Sequence, residues 1–166
     1  MMAYKFSGYW KDVGTIDSLF EANMDLLGDV PKFNVTDSSW KIQTRSPMSP
    51  PHFIGDGART VNSIILTGCE IYGDVENSVI SSDVVIEKGA VVRNSVIMSD
   101  VTVKSGAKIE YAIIDENTVI EIGAKIGEPK ENGNGIAVLS RNITVGKNAV
   151  IKGGAMIDKD VEGGAD

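Results

Sequence analysis

Asn77-Ser78-Val79-Ile80-Ser81-Ser82-Asp83-Val84-Val85-Ile86-Glu87-Lys88-Gly89-Ala90-Val91-Val92-Arg93 runs directly into Asn94-Ser95-Val96-Ile97-Met98-Ser99-Asp100-Val101-Thr102-Val103-Lys104-Ser105-Gly106-Ala107-Lys108-Ile109-Glu110. The two stretches align position for position at a spacing of 17 residues. Tyr111-Ala112-Ile113-Ile114 opens a third copy 17 residues on, and Asn62-Ser63-Ile64-Ile65 precedes the first by 15. A large aliphatic recurs every five or six residues: Ile80, Ile86, Val92; Ile97, Val103, Ile109; Ile114, Ile120, Ile126. Two residues before each stands a smaller side chain: Ser78, Val84, Ala90; Ser95, Val101, Ala107; Ala112, Thr118, Ala124. Positions i and i−2 of a strand share one face. Each unit therefore reads as a short strand with two inward residues, then a turn, and three units close one triangular coil. One coil cannot bury its inner face alone, but stacked coils turn each inward column into a ladder of like aliphatics. Independent hairpins would need two-residue turns and long alternating strands, and neither occurs.

Working outward, Asn and Gly recur at corners, as residues that tolerate positive φ. Gly89, Gly106 and Gly123 repeat at 17. The carboxylates Asp83, Asp100 and Asp115 recur near equivalent turns and read as solvated turn residues. Glu128 to Arg141 interrupts the rhythm, and Gly133-Asn134-Gly135 marks a turn in what reads as an excursion loop. The rhythm then returns as Val145, Ile151 and Ile157, preceded by Ile143, Ala149 and Ala155. Five coils are countable, the first short and irregular.

Upstream lie two other regions. Thr15 to Gly28 reads as one amphipathic helix, with Thr15 or Asp17 as its cap and Gly28 as its end. Ile16, Leu19, Phe20, Met24 and Leu27 make its apolar stripe. That stripe is expected to fold back onto the β-helix or to dock on a neighbouring copy, and the chain is expected to self-associate. Residues 29–60 read as an extended wrap; Pro47, Pro50 and Pro51 exclude a helix, and Trp40-Lys41-Ile42 reads as a strand. The domain reading is thus 1–28 as a turn and helix, 29–60 as a linker, and 61–166 as the β-helix.

Composition agrees. The chain has 166 residues, 18 of them Gly, with 6% aromatics and a formal charge of −7. Val and Ile dominate, which favours strands. The charge speaks against a nucleic-acid partner, since phosphate backbones call for a basic surface. No apolar run is long enough for a bilayer, so no membrane partner is expected. The single Cys69 can make no internal disulfide, and a cytoplasmic location is expected. Cys69 falls at a small inward position, two before Ile71, and reads as core filler rather than nucleophile. The single His52 sits among prolines as a loop residue. A hexapeptide acyltransferase needs a histidine base, and a zinc site on three histidines cannot be assembled.

Gly8-Tyr9-Trp10-Lys11-Asp12-Val13-Gly14-Thr15 is the remaining informative stretch. It places a carboxylate, Asp12, ahead of a helix start. Helix starts attract anions and a carboxylate can hold Mg²⁺, although a lone Asp there is more often structural.

The six-residue repeat resembles the hexapeptide transferases, whose coils are left-handed; physics alone does not fix the hand. The expected fold class is therefore all-β: a single-stranded left-handed parallel β-helix preceded by one short helix. The Gly8–Thr15 stretch, its continuation Asp17 to Leu27, then Thr44-Arg45-Ser46-Pro47 with Pro50-Pro51, the coils, and Gly135-Ile136-Ala137-Val138 together resemble the bacterial glucose-1-phosphate adenylyltransferases. These enzymes make ADP-glucose and pyrophosphate from ATP and glucose 1-phosphate for glycogen synthesis. The resemblance implies that this chain is a carboxy-terminal portion with Met1 as initiator, lacking the glycine-rich nucleotide loop. It implies no complete catalytic set and no adenylyltransferase activity in the chain itself. It implies a Mg²⁺ ligand at Asp12 in the full-length enzyme only, with no cofactor expected in the chain alone. It implies oligomer contacts with the enzyme's own catalytic domain and other subunits, and control by a phosphorylated metabolite. Related plant enzymes hold such an effector with an Asp-Lys pair and a later Lys. These positions align with Asp115-Glu116 and Arg141, so Asp115 and Arg141 are the candidate effector residues, while Glu116 reverses the family's charge. Two other functions compete: a stand-alone hexapeptide acyltransferase and a structural β-helix used for binding.

Overall fold

The computed structural model describes residues 2–45 and 47–164. Met1 and Ser46, which enter the sequence reading, lie outside them. The chain winds through six coils of three short strands. Coil one holds β1 (Phe53–Ile54), β2 (Arg59–Val61) and β3 (Ile64–Ile65); coil two holds β4 (Glu70–Ile71), β5 (Asp74–Glu76) and β6 (Val79–Ile80). Coil three holds β7 (Val85–Ile86), β8 (Val91–Arg93) and β9 (Val96–Ile97); coil four holds β10 (Thr102–Val103), β11 (Lys108–Glu110) and β12 (Ala112–Ile114). Coil five holds β13 (Val119–Ile120), β14 (Lys125–Ile126) and β15 (Ala137–Leu139); coil six holds β16 (Thr144–Val145), β17 (Val150–Ile151) and β18 (Met156–Ile157). Every strand pairs in parallel with its counterpart one coil away, making three six-stranded sheets. The register is the sequence repeat: Ile86 on Val103 on Ile120, Val92 on Ile109 on Ile126, and Ile80 on Ile97 on Ile114.

The inward columns are those the repeat requires. The large aliphatics from Ile71 to Val145 and the small residues two before them are buried in one continuous core. Ser78, Ser95 and Thr118 stand in the small columns and are also fully buried. They are tolerated because each hydroxyl donates to a backbone carbonyl: Ser78 Oγ to Glu76 O at 2.8 Å, Ser95 Oγ to Arg93 O at 2.6 Å, Thr118 Oγ1 to Ser140 O at 3.1 Å. A buried hydroxyl without such a partner would cost on the order of 1–3 kcal/mol.

The corners carry left-handed backbone. Asn62, Asn77, Asn94 and Tyr111 stack in one corner column, with φ between 42° and 50°. Asp83, Asp100, Asn117 and Asn142 stack in another at 55° to 61°. Asp115 is not a member of that column; it lies two residues before Asn117, so the three-carboxylate repeat read from sequence holds only for Asp83 and Asp100. Down the first corner the Asn side chains chain together: Asn62 Nδ2 donates to Asn77 Oδ1 at 2.8 Å, Asn77 Nδ2 to Asn94 Oδ1 at 2.7 Å, and Asn94 Nδ2 to Glu110 Oε1 at 2.6 Å. The polar ladder ends where Tyr111 replaces Asn.

Four boundaries differ from the sequence reading. The ladder starts at β1, inside the segment read as an extended wrap, because Phe53-Ile54 already pairs with Glu70-Ile71; six coils result rather than five. The interruption is shorter than 128–141, because Ala137–Leu139 rejoins the third sheet between β12 and β18. Trp40-Lys41-Ile42 is not a strand: it lies in irregular backbone with Trp40 83% exposed and no ladder partner. The helix, α1, covers Ile16–Met24, with Thr15 as N-cap and Asp25 as C-cap, and stops short of Gly28. Thr15 Oγ1 accepts from Ser18 N, and Ser18 Oγ accepts in return from Thr15 N, a reciprocal cap.

Helix α1 folds back onto its own solenoid. Phe20 is buried against Val96, Tyr111, Ile113 and Ile136, with Ile16, Leu19 and Met24 alongside. Val96 and Ile113 point outward from the third sheet, yet both are buried, because the helix covers them.

Candidate functional site

Three places carry the candidate chemistry: the turn before α1, the corner holding Asp115 and Arg141, and the junction between α1 and the solenoid.

The turn is fixed through Asp25. Its carboxylate accepts from Lys32 Nζ at 2.7 Å, from Lys11 Nζ at 3.2 Å and from Tyr9 Oη at 3.1 Å. Lys11 Nζ also donates to Glu21 Oε2 at 2.9 Å. The Lys32 contact, then the Lys11 and Tyr9 contacts, hold the Asp25 carboxyl below its ordinary range. The Tyr9 ring stacks on Phe33, centroids 5.4 Å apart. Residues on either side of Asp12 are thus tied to the helix, and Thr15 is tied by the cap. Asp12 itself is exposed, and its Oδ1 accepts from Gly14 N at 3.1 Å. Sequence reasoning missed Asp25. The signal was available: an acidic residue at a helix C-terminus is unfavourable beside the dipole unless basic groups compensate, and Lys11 and Lys32 do.

The fit to Mg²⁺ can be tested on these residues. Among the described residues no three His, Cys, Asp or Glu side chains gather to hold a metal ion. Asp12 offers one carboxylate whose second oxygen is unengaged. Mg²⁺ ordinarily takes one or two carboxylates and completes its shell with phosphate oxygens and water. A single carboxylate of this kind could offer one ligand to such a site.

Asp115 and Arg141 do come together. Arg141 Nε stands 3.8 Å from Asp115 Oδ2, with the Arg side chain 67% exposed. Asp115 Oδ1 accepts from Glu116 N at 2.8 Å. Adjacent coils bring them to one corner, where Arg141 faces a carboxylate, and Arg45 lines a neighbouring cleft with Glu116. Cys69 is fully buried, its Sγ donating to Ser81 O at 2.9 Å, and burial pushes its thiol up in pKa. It fills the core as read. His52 is exposed.

At the junction Phe20 meets Tyr111 edge-on at 5.0 Å, and Lys130 Nζ lies 5.8 Å from the Tyr111 ring centre. A cleft of about 220 Å³ runs among Phe20, Met24, Asn77, Asn94, Tyr111, Lys130 and Glu131. The outward aliphatics of the third sheet announced this docking face. Its outward column runs Val79, Val96, Ile113 and Val138 without a polar break, whereas the outward columns of the other sheets mix valines with Glu70, Thr102, Lys108 and Lys125.

Residues 50–137 match the family model described as GlmU-like, C-terminal hexapeptide. The chain belongs to this hexapeptide family. Its fold is accordingly the left-handed parallel β-helix expected from the repeat. The hexapeptide chain is similar to the glucose-1-phosphate adenylyltransferase of Clostridium perfringens, 46% identical over 158 residues, which is 95% of this chain and 39% of the relative. It is 50% identical over 92 residues to that of Acetivibrio thermocellus, covering 55% of this chain and 22% of the relative. The chain thus spans well under half the length of these curated relatives. Among solved structures, the acetyltransferase domain of PglB from Neisseria gonorrhoeae, in complex with acetyl coenzyme A, superposes with a TM-score of 0.52 at 22% identity. That match covers 65% of this chain and 54% of that one and speaks to fold alone. No described helix is long and apolar enough to cross a membrane.

Proposed function

We propose that this chain is the carboxy-terminal assembly and regulatory domain of a glucose-1-phosphate adenylyltransferase, inactive by itself. One observation carries the reading. The turn and helix of residues 8–28 are built onto the solenoid by the Phe20 cluster, and similarity to the Clostridium perfringens enzyme runs through both across 95% of the chain. A catalytic domain continuous with that turn would be rigidly coupled to the β-helix, so contacts made by the coils would be felt at Asp12.

In this reading Asp12 contributes one oxygen to a Mg²⁺ whose remaining ligands come from outside the chain, and the metal supplies charge stabilisation to the transferring phosphate. Asp25, Lys11 and the Thr15 cap hold the turn so that the Asp12 carboxylate is presented in one direction. Arg141 would grip the phosphate of an effector, exchanging Asp115 for it. The enzyme would work in the cytoplasm.

The test is a chimera in which this chain replaces the matching portion of the Clostridium perfringens enzyme. ADP-glucose formation is expected from the chimera and none from this chain alone. Asp12→Asn in the chimera is expected to cut turnover at least about a hundredfold, since metal charge stabilisation is worth several kcal/mol. A folded but inactive chimera, or pyrophosphate release by the chain alone, would overturn the reading. Acetyl coenzyme A binding by the chain would move it to the acyltransferases.

A further inference from the structure

The excursion between β14 and β15 contains the only two Asn-Gly steps of the chain, Asn132-Gly133 and Asn134-Gly135. Asparagine followed by glycine is the step most open to attack by the next backbone nitrogen, because no side chain crowds the approach. The two steps differ in how that nitrogen is engaged. Gly133 N–H donates to Lys130 O at 3.0 Å, closing the short 3-10 turn Lys130–Asn132. Gly135 N–H, among the described residues, donates to no protein group, while Gly135 O accepts from Gly154 N at 3.0 Å. Two Asn-Ser steps of the corner ladder, Asn77-Ser78 and Asn94-Ser95, are tied in the same protective way. Ser78 N donates to Ser63 Oγ and Ser95 N to Ser78 Oγ, both at 3.1 Å.

We propose that Asn134 is a self-modification site, converting by deamidation to aspartate or isoaspartate, and that the conversion releases the excursion loop from the solenoid. The deprotonated Gly135 nitrogen forms a bond to Asn134 Cγ, and the Cγ–Nδ2 bond breaks with loss of ammonia. Water then opens the imide at either carbonyl, its hydroxyl joining carbon and its proton returning to nitrogen. The balance is asparagine plus water to aspartate, or isoaspartate, plus ammonia.

The neighbours of Asn134 determine the structural effect of this conversion. Its Nδ2 donates to Glu128 Oε2 at 2.6 Å, and Asn132 Nδ2 reaches the same oxygen at 3.3 Å. Conversion replaces that donor with a carboxylate facing Glu128, so an attraction becomes a like-charge contact. The isoaspartate product also adds an atom to the backbone. Asn134 and Gly135 lie so close to Gly153 and Gly154 that a Cβ at Gly154 would collide with Asn134 O and one at Gly153 would press on Asn134 Cβ and Gly135 O. The longer backbone cannot keep that contact, and Ile136, which packs on Phe20, is next in the chain. Glu128 acts as a restraint, because it anchors the amide that must rotate toward Gly135.

The experiment ages the intact chain at mildly alkaline pH and follows each Asn by peptide mapping, with a urea-unfolded sample alongside. Asn134 is expected to convert first in the folded chain, and Glu128→Ala to speed it about two- to tenfold, the factor for one hydrogen bond removed. Asn134→Asp should make residues 128–136 several times more sensitive to limited proteolysis. Asn132 converting first, or Asn134 staying intact when folded while converting in urea, overturns the site. Unchanged proteolysis of Asn134→Asp overturns the release.

Discussion

The solenoid core and the helix patch are both apolar, yet they are held by different kinds of redundancy. In the core each large aliphatic of coils three to five sits between two of its own kind, one coil above and one below, and every strand between the end coils is paired on both sides. The patch under α1 is a single layer. Five buried residues, Phe20, Val96, Tyr111, Ile113 and Ile136, close it, and only Phe20 comes from the helix. The N-terminal segment adds a polar clamp around Asp25 and one bond from Gly28 N to Asn62 Oδ1 at 2.9 Å. A repeat thus spreads its stability over many equivalent contacts, whereas the strap concentrates it in one ring and one carboxylate.

The largest effect should come from breaking the ladder. Val103→Asp places a carboxylate in a fully buried column between Ile86 and Ile120. An unpaired buried charge costs several kcal/mol, against a total stability of about 5–15 kcal/mol for a domain. Loss of the soluble folded chain is expected, read by circular dichroism and sedimentation. A soluble variant with unchanged melting would place that column outside the core.

Phe20→Ala should act locally. Removing a buried aromatic costs about 3–5 kcal/mol where the site cannot collapse, and here the loss falls on the strap. Hydrogen exchange is the measurement: amides of Ile16–Met24 should lose protection while those of Val79–Ile126 keep theirs. Joint loss of both would show that helix and solenoid fold as one cooperative unit.

The same contrast explains what could be read in the sequence. Every inward residue of coils three and four was legible, because a repeat states the same side-chain direction many times over; Val75 of coil two, fully buried, was missed where the spacing shortens to 15. Where the period slipped, legibility ended. Phe53-Ile54 opens an irregular first coil whose first two strands are exposed, so its period is weak, and Ala137–Leu139 follows an insertion that resets the count. Trp40-Lys41-Ile42 looked like a strand from propensity alone, which is no guide without a neighbouring edge to pair with. At the candidate site Asp12 was singled out by its place before a helix start, and only the resemblance gave it a metal role. Asp25 was missed: its place at the helix C-terminus hinted at basic partners, but Tyr9, Lys11 and Lys32 are scattered around it and meet only after the chain doubles back.

Acid should separate the regions more gently. Asp25 has its carboxyl depressed below the ordinary value of 3.8 by Lys32, Lys11 and Tyr9. A depressed carboxylate contributes stability that is present above the unfolded value and is lost as pH falls through the folded one. The clamp should therefore hold at neutral pH and weaken below about pH 3.8, loosening the strap while the aliphatic ladders, which titrate nothing, persist. Chemical shifts of the Tyr9 and Phe33 rings report it. Asp25→Asn should already show the loosened shifts at neutral pH and lose their acid dependence; a variant that keeps the dependence would assign it to another carboxylate.

The smallest effect on stability is expected at Arg141. Its contact with Asp115 is long, at 3.8 Å, and open to solvent. Exposed ion pairs of this kind contribute about 0–1 kcal/mol, since water screens the charges and two long side chains lose freedom to meet. Arg141→Ala should leave the melting temperature nearly unchanged and keep all six coils. The substitution is therefore a clean probe of the proposed effector role, because any change in phosphate-ligand binding cannot be blamed on unfolding. Arg141→Lys should retain part of that binding, since the charge remains but the bidentate fork is gone. Asp115→Asn should strengthen it, since the carboxylate that now faces the guanidinium is neutralised. Inorganic phosphate titrated into the three variants, with binding read by calorimetry, gives the order Asp115→Asn above the native chain, then Arg141→Lys, then Arg141→Ala. Equal binding across all of them would leave Arg141 as an exposed residue at a coil corner, and would move any effector site away from the Asp115 corner.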